Sequence, residues 1–271
     1  MNINASVVNV TKKHPDRASV PIRRKIRHHE NDMSVTPTNP PRRSANPAEI
    51  GGLLILALAA AGLLVFALIA DGVHEGETRG FDETVLLLFR QAGNPALPIG
   101  PIWLEIAVRD FTSLGSTTGL ATLTLLTAGY LAVDGKRAAA LFVLIATSSG
   151  MLLSFALKIG FNRPRPDIVD RLVDVHTLSF PSGHAMGAAV TYLTLGVLIV
   201  RTESKRCIKV YVLGVALGLT LLIGLSRIYL GVHWPTDVLA GWCAGSAWAL
   251  LCWLVASWLQ RRGQIEPADS N

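Results

Sequence analysis

Long apolar runs without a charged residue constrain the fold of this chain more than any other feature. A helix needs about 20 apolar residues to cross the hydrocarbon layer of a bilayer. Four charge-free runs meet that length: Ile50–Ala70, Leu114–Val133, Ala138–Leu157 and Val238–Leu259. Two shorter runs, Gly183–Val200 and Val210–Leu225, fit a buried soluble helix when each is taken alone, but beside four clear spans they are better interpreted as membrane helices. The sequence predicts an all-α, polytopic membrane protein with six transmembrane helices.

The composition agrees with a membrane protein. Half of the 271 residues are hydrophobic and 16% are charged, whereas about 25% of a soluble domain is charged. The net charge of +6 comes from basic clusters beside the apolar runs, so we expect a bilayer as the partner and no nucleic acid. The three cysteines lack the spacing of a disulfide framework or a metal site.

The distribution of lysine and arginine predicts the orientation of the spans, because short cytoplasmic connections are enriched in both. With six spans, four basic clusters fall on the same side of the membrane: Lys12, Lys13, Arg17, Arg23, Arg24, Lys25, Arg27, Arg42 and Arg43, then Lys136 and Arg137, then Arg201, Lys205, Arg206 and Lys209, and finally Arg261 and Arg262. Both termini are therefore predicted to be cytoplasmic. The outward connections are Asp71–Ser113, Lys158–Ser182 and Ser226–Asp237.

The chain divides into three predicted parts. Residues 1–49 are rich in Pro, Asn, Ser, Arg and Lys and cannot bury a core, so we expect a disordered basic cytoplasmic arm. The arm either acts as a topology signal or binds anionic lipid, and Met33 is an alternative start that would shorten it. Residues 50–260 form the predicted six-helix domain, and residues 261–271 form a cytoplasmic tail.

The first outward connection contains the segment "FDETVLLLFRQA". Its apolar residues Phe81, Val85, Leu88 and Phe89 form one stripe at helical spacing. This pattern predicts a short helix that lies at the membrane interface or packs against the bundle.

Three outward segments are rich in residue types that bind phosphate. The first, "KIGFNRPRP", places Lys158, Arg163 and Arg165 within eight residues on the outward side, against the positive-inside tendency, and so predicts an anionic partner. In the second, "FPSGHAMGAA", Ser182 has the side chain of a helix N-cap, and Gly183 lets the backbone approach a ligand. His184 follows in the first helical turn.

The third segment is "SRIYLGVHWPTD", between the fifth and sixth spans. Pro235 suits the first turn of a helix, and Asp237 then lies where the helix dipole favours a carboxylate. His233 is close enough to donate a hydrogen bond to Asp237, an arrangement typical of a base or a nucleophile. Ser226 and Arg227 supply a hydroxyl and a guanidinium for phosphate oxygens.

Taken together, these residues resemble the three-part signature of the type 2 phosphatidic acid phosphatase superfamily. The matching positions are Lys158, Arg165 and Pro166, then Pro181, Ser182, Gly183 and His184, then Ser226, Arg227, His233 and Asp237, with no departure in order, spacing or residue type. The six-span layout extends the similarity to the membrane-bound lipid phosphatase branch over about residues 50–260.

The resemblance implies a role for each site residue. His233 would attack phosphorus, Asp237 would fix its tautomer, and His184 would protonate the leaving oxygen and later activate water. The phosphoryl oxygens would be held by Lys158, Arg165, Arg227, Ser182 and the Gly183 N–H. Because cations already supply positive charge, we expect hydrolysis without a metal or another cofactor.

The residues leave several alternatives open. A phosphotransferase would use the same site, and a vanadate-dependent peroxidase shares the signature in soluble proteins. A transporter or flippase would show a charge near mid-span or paired broken helices, which the sequence lacks. Phosphatidic acid, phosphatidylglycerol phosphate and a lipid A phosphate all fit an outward site. Undecaprenyl diphosphate is the preferred substrate, since Arg163 or Arg171 could meet its second phosphate.

Overall fold

The computed structural model describes residues 47–175 and 177–261, so most of the predicted arm and nearly all of the tail lie outside the described residues. The elements, in chain order, are α1 (Pro47–Glu75), α2 (Arg79–Leu87), β1 (Arg90–Gln91), β2 (Asn94–Pro98), α3 (Ile102–Ser113), α4 (Thr117–Val133), α5 (Arg137–Phe161), α6 (Gly183–Thr202), α7 (Arg206–Tyr229) and α8 (Pro235–Arg261). The fold is helical, as predicted. A small antiparallel hairpin, β1–β2, is the only sheet in the described part.

Five helices, α1, α5, α6, α7 and α8, are long and apolar enough to cross a membrane. A sixth crossing requires α3 and α4 to act together as one broken span, because α4 alone has only 17 residues. The two helices meet at an angle of 48°. The second span was predicted to begin at Leu114, directly after an outward connection, but α4 begins at Thr117, and the last residues of that connection form α3, which ends at Ser113. Ser116 accounts for the restart, since its side chain caps α4 by accepting a hydrogen bond from the Gly119 N–H at 3.0 Å.

Many large apolar side chains on these helices are exposed, as expected for surfaces that face lipid. Examples are Leu53, Leu64, Leu126 and Phe155, each at least 60% exposed. A water-soluble domain would not leave this much apolar surface uncovered. Together with the spans, the exposed surface confirms a multi-pass membrane protein.

Small residues bring α6 and α8 into close contact at the end of the bundle where both helices begin, which we call the site end. A Cβ atom on Gly241 would lie 2.8 Å from the Ser182 carbonyl oxygen, and one on Gly245 would lie 2.6 Å from that of Met186. Two glycines four residues apart allow such an approach between membrane helices. The Ser182 N–H also donates to the Asp237 carbonyl at 2.9 Å, which joins the first turns of the two helices.

The predicted interfacial helix is present as α2, but its contacts differ from the predicted stripe. Asp82 and Leu86 are its buried residues, whereas Phe81 and Leu88 are 51% and 69% exposed. Leu86 packs against Val238 and other apolar residues at the start of α8. Asp82 is therefore carried into the interior of the protein beside the predicted site.

Candidate active site

The three predicted phosphate-binding segments meet at the site end of the bundle. Lys158 lies in the last turn of α5, which ends at Asn162 in the left-handed conformation (φ 46°). The next residues then run alongside the turn that precedes α6, where the Ser179 N–H donates to the Arg163 carbonyl at 2.9 Å. The first turns of α6 and α8 complete the site. Residues far apart in the sequence thus form one cluster.

His233 lies directly before α8 and is 1% exposed. Its Nδ1 is 3.4 Å from Asp237 Oδ2, and its Nε2 is 3.2 Å from a guanidinium nitrogen of Arg165. Since Arg165 can only donate, Nε2 is assigned as the acceptor and Nδ1 as the N–H that faces Asp237. Burial, followed by the charges of Arg165, Lys158 and Arg227, lowers the pKa of His233 well below 6.5. The imidazole is therefore neutral, and its Nε2 lone pair points to a cation.

Asp237 is fully buried and accepts hydrogen bonds from several groups. The Trp234 N–H donates to Oδ2 at 2.9 Å, and the Ser179 hydroxyl donates to the same oxygen. Ser179 Oγ is also 3.3 Å from His233 Nδ1. These contacts hold the carboxylate at the start of α8 and orient the histidine beside it.

Arg163 occupies a different place from the one predicted. Its Nη1 lies 2.6 Å from Asp237 Oδ1, and its Nη2 lies 2.7 Å from Asp82 Oδ2 on α2. Asp82 in turn accepts from the Thr236 N–H at 2.9 Å and from the Thr236 hydroxyl at 2.7 Å. A guanidinium enclosed by two carboxylates is a poor ligand for a further anion, so the assignment of Arg163 to a second phosphate was wrong.

Lys158 and Arg165 are held by backbone carbonyls. Lys158 Nζ donates to the Leu178 and Pro181 carbonyls, at 2.8 Å each. Arg165 donates through Nε to the Thr177 carbonyl at 2.7 Å and through Nη1 to that of Val232. Burial lowers the pKa of Arg165 to about 10, with a smaller opposing effect from Asp237, so the guanidinium is still charged at neutral pH. Both cations are fixed in place next to His233.

Arg227, in the last turn of α7, is 3% exposed. Its Nη1 donates to Thr112 Oγ1 at 3.0 Å, while its buried Nε has no hydrogen-bond partner among the described residues. A buried guanidinium N–H without a partner is costly and calls for an acceptor. In this cluster the fitting acceptor is an anion.

His184 lies in the first turn of α6 and packs against the break between α3 and α4. A Cβ atom on Gly115, at that break, would lie 3.5 Å from His184 Cδ2 and 2.3 Å from Ile223 Cγ2. The break therefore has room for glycine and for no larger residue. It supports both His184 and, through Thr112, Arg227.

The other predicted residues have mixed outcomes. Ser182 caps α6, accepting from the Ala185 N–H at 3.5 Å, and a Cβ on Gly183 would lie 3.4 Å from Lys158 Cε. Ser226 was expected to bind phosphate, but its hydroxyl donates to the Ile223 carbonyl at 2.6 Å within α7. Arg171 is exposed, and its Nε donates to the Pro166 carbonyl at 3.2 Å.

Sequence reasoning missed Ser179, Asp82 and Thr236. In the sequence, Asp82 falls outside the predicted apolar stripe of this helix, where a carboxylate is usually solvated, and no spacing rule links it to position 163. Ser179 does lie close to the recognised Pro181–His184 segment, which was a usable signal. Among residues 47–175 and 177–261, no group of three or more His, Cys, Asp or Glu side chains is arranged to hold a metal ion.

Comparison with known proteins places this arrangement in a family. Residues 138–261 match the model of the PAP2 superfamily. Phosphatidylglycerophosphatase B of Bacillus subtilis is 32% identical over 185 residues, covering 67% of this chain and 86% of that protein. Undecaprenyl-diphosphatase of Sulfolobus acidocaldarius is 41% identical over 68 residues, which is 29% of its length.

A solved structure extends the similarity to three quarters of the chain. The crystal structure of the transmembrane PAP2 type phosphatidylglycerolphosphate phosphatase from Bacillus subtilis covers 75% of this chain and 98% of its own, with a TM-score of 0.64 and 29% sequence identity. The match agrees with the helical membrane fold described above. This chain belongs to the PAP2 superfamily and is a multi-pass membrane lipid phosphatase.

Proposed function

We propose that the chain hydrolyses a lipid phosphate through a covalent phosphohistidine formed on His233. The observation that carries this proposal is the position of the buried imidazole. Its Nδ1 faces Asp237, and its Nε2 lies 3.2 Å from the Arg165 guanidinium. A phosphate bound by Arg165 would lie next to the Nε2 lone pair, which is the geometry that nucleophilic attack needs.

In the first step, His233 Nε2 forms a bond to phosphorus as the bond between phosphorus and the leaving oxygen breaks. His184, in its protonated form, donates a proton to that oxygen and becomes neutral, and Asp237 stabilises the positive charge that develops on the His233 ring. In the second step, water attacks phosphorus and loses a proton to His184. The phosphorus–nitrogen bond breaks, phosphate leaves, and His233 is neutral again.

Positive charge for this transition state would come from Lys158, Arg165 and Arg227, together with the Gly183 N–H and the Ser182 hydroxyl. The unpartnered Nε of Arg227 supports such a role, because a phosphoryl oxygen would be its acceptor. We therefore propose that hydrolysis needs no divalent metal. Turnover should persist in excess EDTA, and loss of turnover that magnesium alone restores would contradict this part of the proposal.

Trapping the phosphoenzyme tests the mechanism directly. With an aryl phosphate, whose leaving group needs no proton, His184→Ala should accumulate a phosphoenzyme that is stable in alkali and labile in acid. His233→Gln should form none and should lose turnover by at least about 10³-fold. Near-normal turnover in the His233→Gln variant would show that another residue is the nucleophile.

The substrate is proposed as a membrane lipid with a phosphomonoester or diphosphate headgroup. The case for a diphosphate has become weaker, because Arg163 is bound to two carboxylates and only Arg171 remains for a second phosphate. Phosphatidylglycerophosphatase B of Bacillus subtilis matches over most of its length, so we propose phosphatidylglycerol phosphate as a candidate substrate together with undecaprenyl diphosphate. The ratio of their kcat/KM values in one detergent decides between them, with phosphatidic acid as the reference substrate. Added glycerol tests for phosphotransfer, because a phosphotransferase would form glycerol phosphate in place of free phosphate.

We further propose that the site end faces outward from the plasma membrane, with the arm (residues 1–49) and the tail (261–271) in the cytoplasm and residues 50–260 as the catalytic domain. The basic clusters at the opposite end support this orientation. Impermeant thiol reagents applied to intact cells should label Asp170→Cys, which replaces an exposed residue near the site. The native Cys207, exposed at the start of α7, is the internal control and should react only after lysis.

A further inference from the structure

A cavity of about 360 Å³ lies between α4, α5, α6 and α8, away from the candidate active site. His184 is in the first turn of α6, whereas the residues that line the cavity are in the last part of that helix, from Thr194 to Thr202. On α8 it extends from Ala249 to Gln260, near the C-terminal end of the helix. The cavity is therefore a separate site at the opposite end of the bundle.

The lining of the cavity is polar at one end and apolar at the other. Lys136, Arg201 and Gln260 lie where α5 begins and where α6 and α8 end. Deeper in the bundle, the lining includes Phe142 and Ala249. Thr194 and Arg201 are seven positions apart, which is about 10 Å along a helix. A molecule that fills this space must have an apolar tail and a polar head.

The charge of Arg201 indicates what kind of head would bind. Its guanidinium donates to Ser257 Oγ at 3.3 Å and to Gln260 Oε1, and it lies 5.6 Å from the ring centroid of Trp253. These acceptors are neutral, and no ion pair of Arg201 with a carboxylate occurs in the described part of the chain. A half-buried cation of this kind is complementary to an anionic headgroup.

Thr194 lies at the deep end of the cavity. It lines the cavity and is 4% exposed, and its buried Oγ1 has no hydrogen-bond partner among the described residues. Because the Oγ1 atom is itself enclosed by protein, a molecule in the cavity would not reach it, and the deep end of the cavity offers an apolar surface.

We propose that this cavity binds one anionic phospholipid of the surrounding bilayer, with its phosphate at Arg201 and an acyl chain extending toward Thr194 and Ala249. The N-terminal arm is an unsuitable occupant because it is basic, like Arg201 and Lys136. The site is independent of the proposed phosphatase chemistry. Binding here would anchor the ends of α4, α6 and α8 to the leaflet opposite the site end.

Quenching of Trp253 by brominated lipids tests the proposal in full-length protein reconstituted in vesicles. The signal is the fluorescence difference between the parent protein and Trp253→Phe. Dibrominated phosphatidylglycerol should quench it more strongly than dibrominated phosphatidylcholine. Arg201→Gln should reduce that preference about tenfold, whereas Arg201→Lys should retain most of it. Arg206→Gln, at an exposed position just outside the cavity, is the matched control and should behave like the parent.

A second variant tests the proposal even if replacing Arg201 disturbs folding. Ala249→Leu fills the deep end without changing a charge, and it should reduce quenching by both lipids while preserving the thermal unfolding midpoint. Equal quenching by the two lipids in the parent would mean ordinary boundary lipid and would overturn the proposal. Quenching that emerges only after residues 262–271 are deleted would overturn it as well, because the tail would then be the occupant.

Discussion

Arg163 and Asp237 form a buried ion pair in which Nη1 lies 2.6 Å from Oδ1. The other side of the guanidinium lies 2.7 Å from Asp82, so one arginine joins the proposed catalytic carboxylate to α2 in the first connection. Because Asp237 Oδ1 is held by Arg163, Oδ2 is left to face His233 and Ser179. The orientation of the histidine therefore depends on a helix more than a hundred residues away in the sequence.

Replacing Arg163 tests this relationship. In Arg163→Gln, two buried carboxylates lose their cation, so the free energy of unfolding should fall by about 3–5 kcal/mol, and kcat should fall more than KM rises. Thermal unfolding in detergent and steady-state kinetics measure the two effects. Arg171→Gln removes an exposed arginine of the same connection, so it should change stability by no more than about 0.5 kcal/mol. Similar losses in the two variants would argue against the ion-pair role.

The depressed pKa of His233 predicts a pH-dependent stability. The pKa of this ring is lowered well below 6.5, chiefly by burial. In acid the unfolded chain takes up the proton and the folded chain does not, so stability is fully present above about pH 6.5 and is lost as the pH falls below that value. Between about pH 7 and about pH 5, the free energy of unfolding should therefore fall more in the parent than in His233→Gln, which has no titrating group at this position. Parallel pH profiles would show that His233 is protonated in the folded protein.

Arg227 should contribute strongly to anion binding through its unpartnered Nε. Orthovanadate, a mimic of the phosphoryl group, should raise the thermal unfolding midpoint of the parent by mass action. Arg227→Lys retains the charge but loses the guanidinium fork, and it should bind vanadate about tenfold more weakly. An unchanged vanadate affinity in this variant would place Arg227 outside the anion site.

Gly115→Ala should damage the site through a steric clash. The new Cβ would lie 2.3 Å from Ile223 Cγ2, and relieving that clash would shift the break against which His184 packs, so the variant should lose about 1–3 kcal/mol of stability together with part of kcat. Ile223→Ala removes the clashing methyl group. The double variant should therefore be more active than Gly115→Ala alone, and strict additivity of the two losses would refute the steric explanation.

The sequence alone determined the class of this protein. Charge-free runs of about 20 residues have few stable outcomes other than membrane helices, because any other structure would leave backbone groups unsatisfied in lipid. The three local segments also indicated a phosphate site. Ser182, Pro235 and Asp237 are residue types that favour the beginning of a helix, and the beginning of a helix binds anions. Such preferences act over a few residues and can be recognised in a single sequence.

Only the tertiary structure decided how the charges are paired. Arg163 and Arg165 are two residues apart and look equivalent in the sequence, yet one is enclosed by Asp82 and Asp237 and the other faces His233. Likewise, residues 102–113 were placed in an outward connection, yet they form α3, which meets α4 at 48° across the break at Gly115. Burial and pairing depend on which helix lies alongside, and that follows from the packing of distant segments. The periodicity of the sequence does not encode which helices pack together.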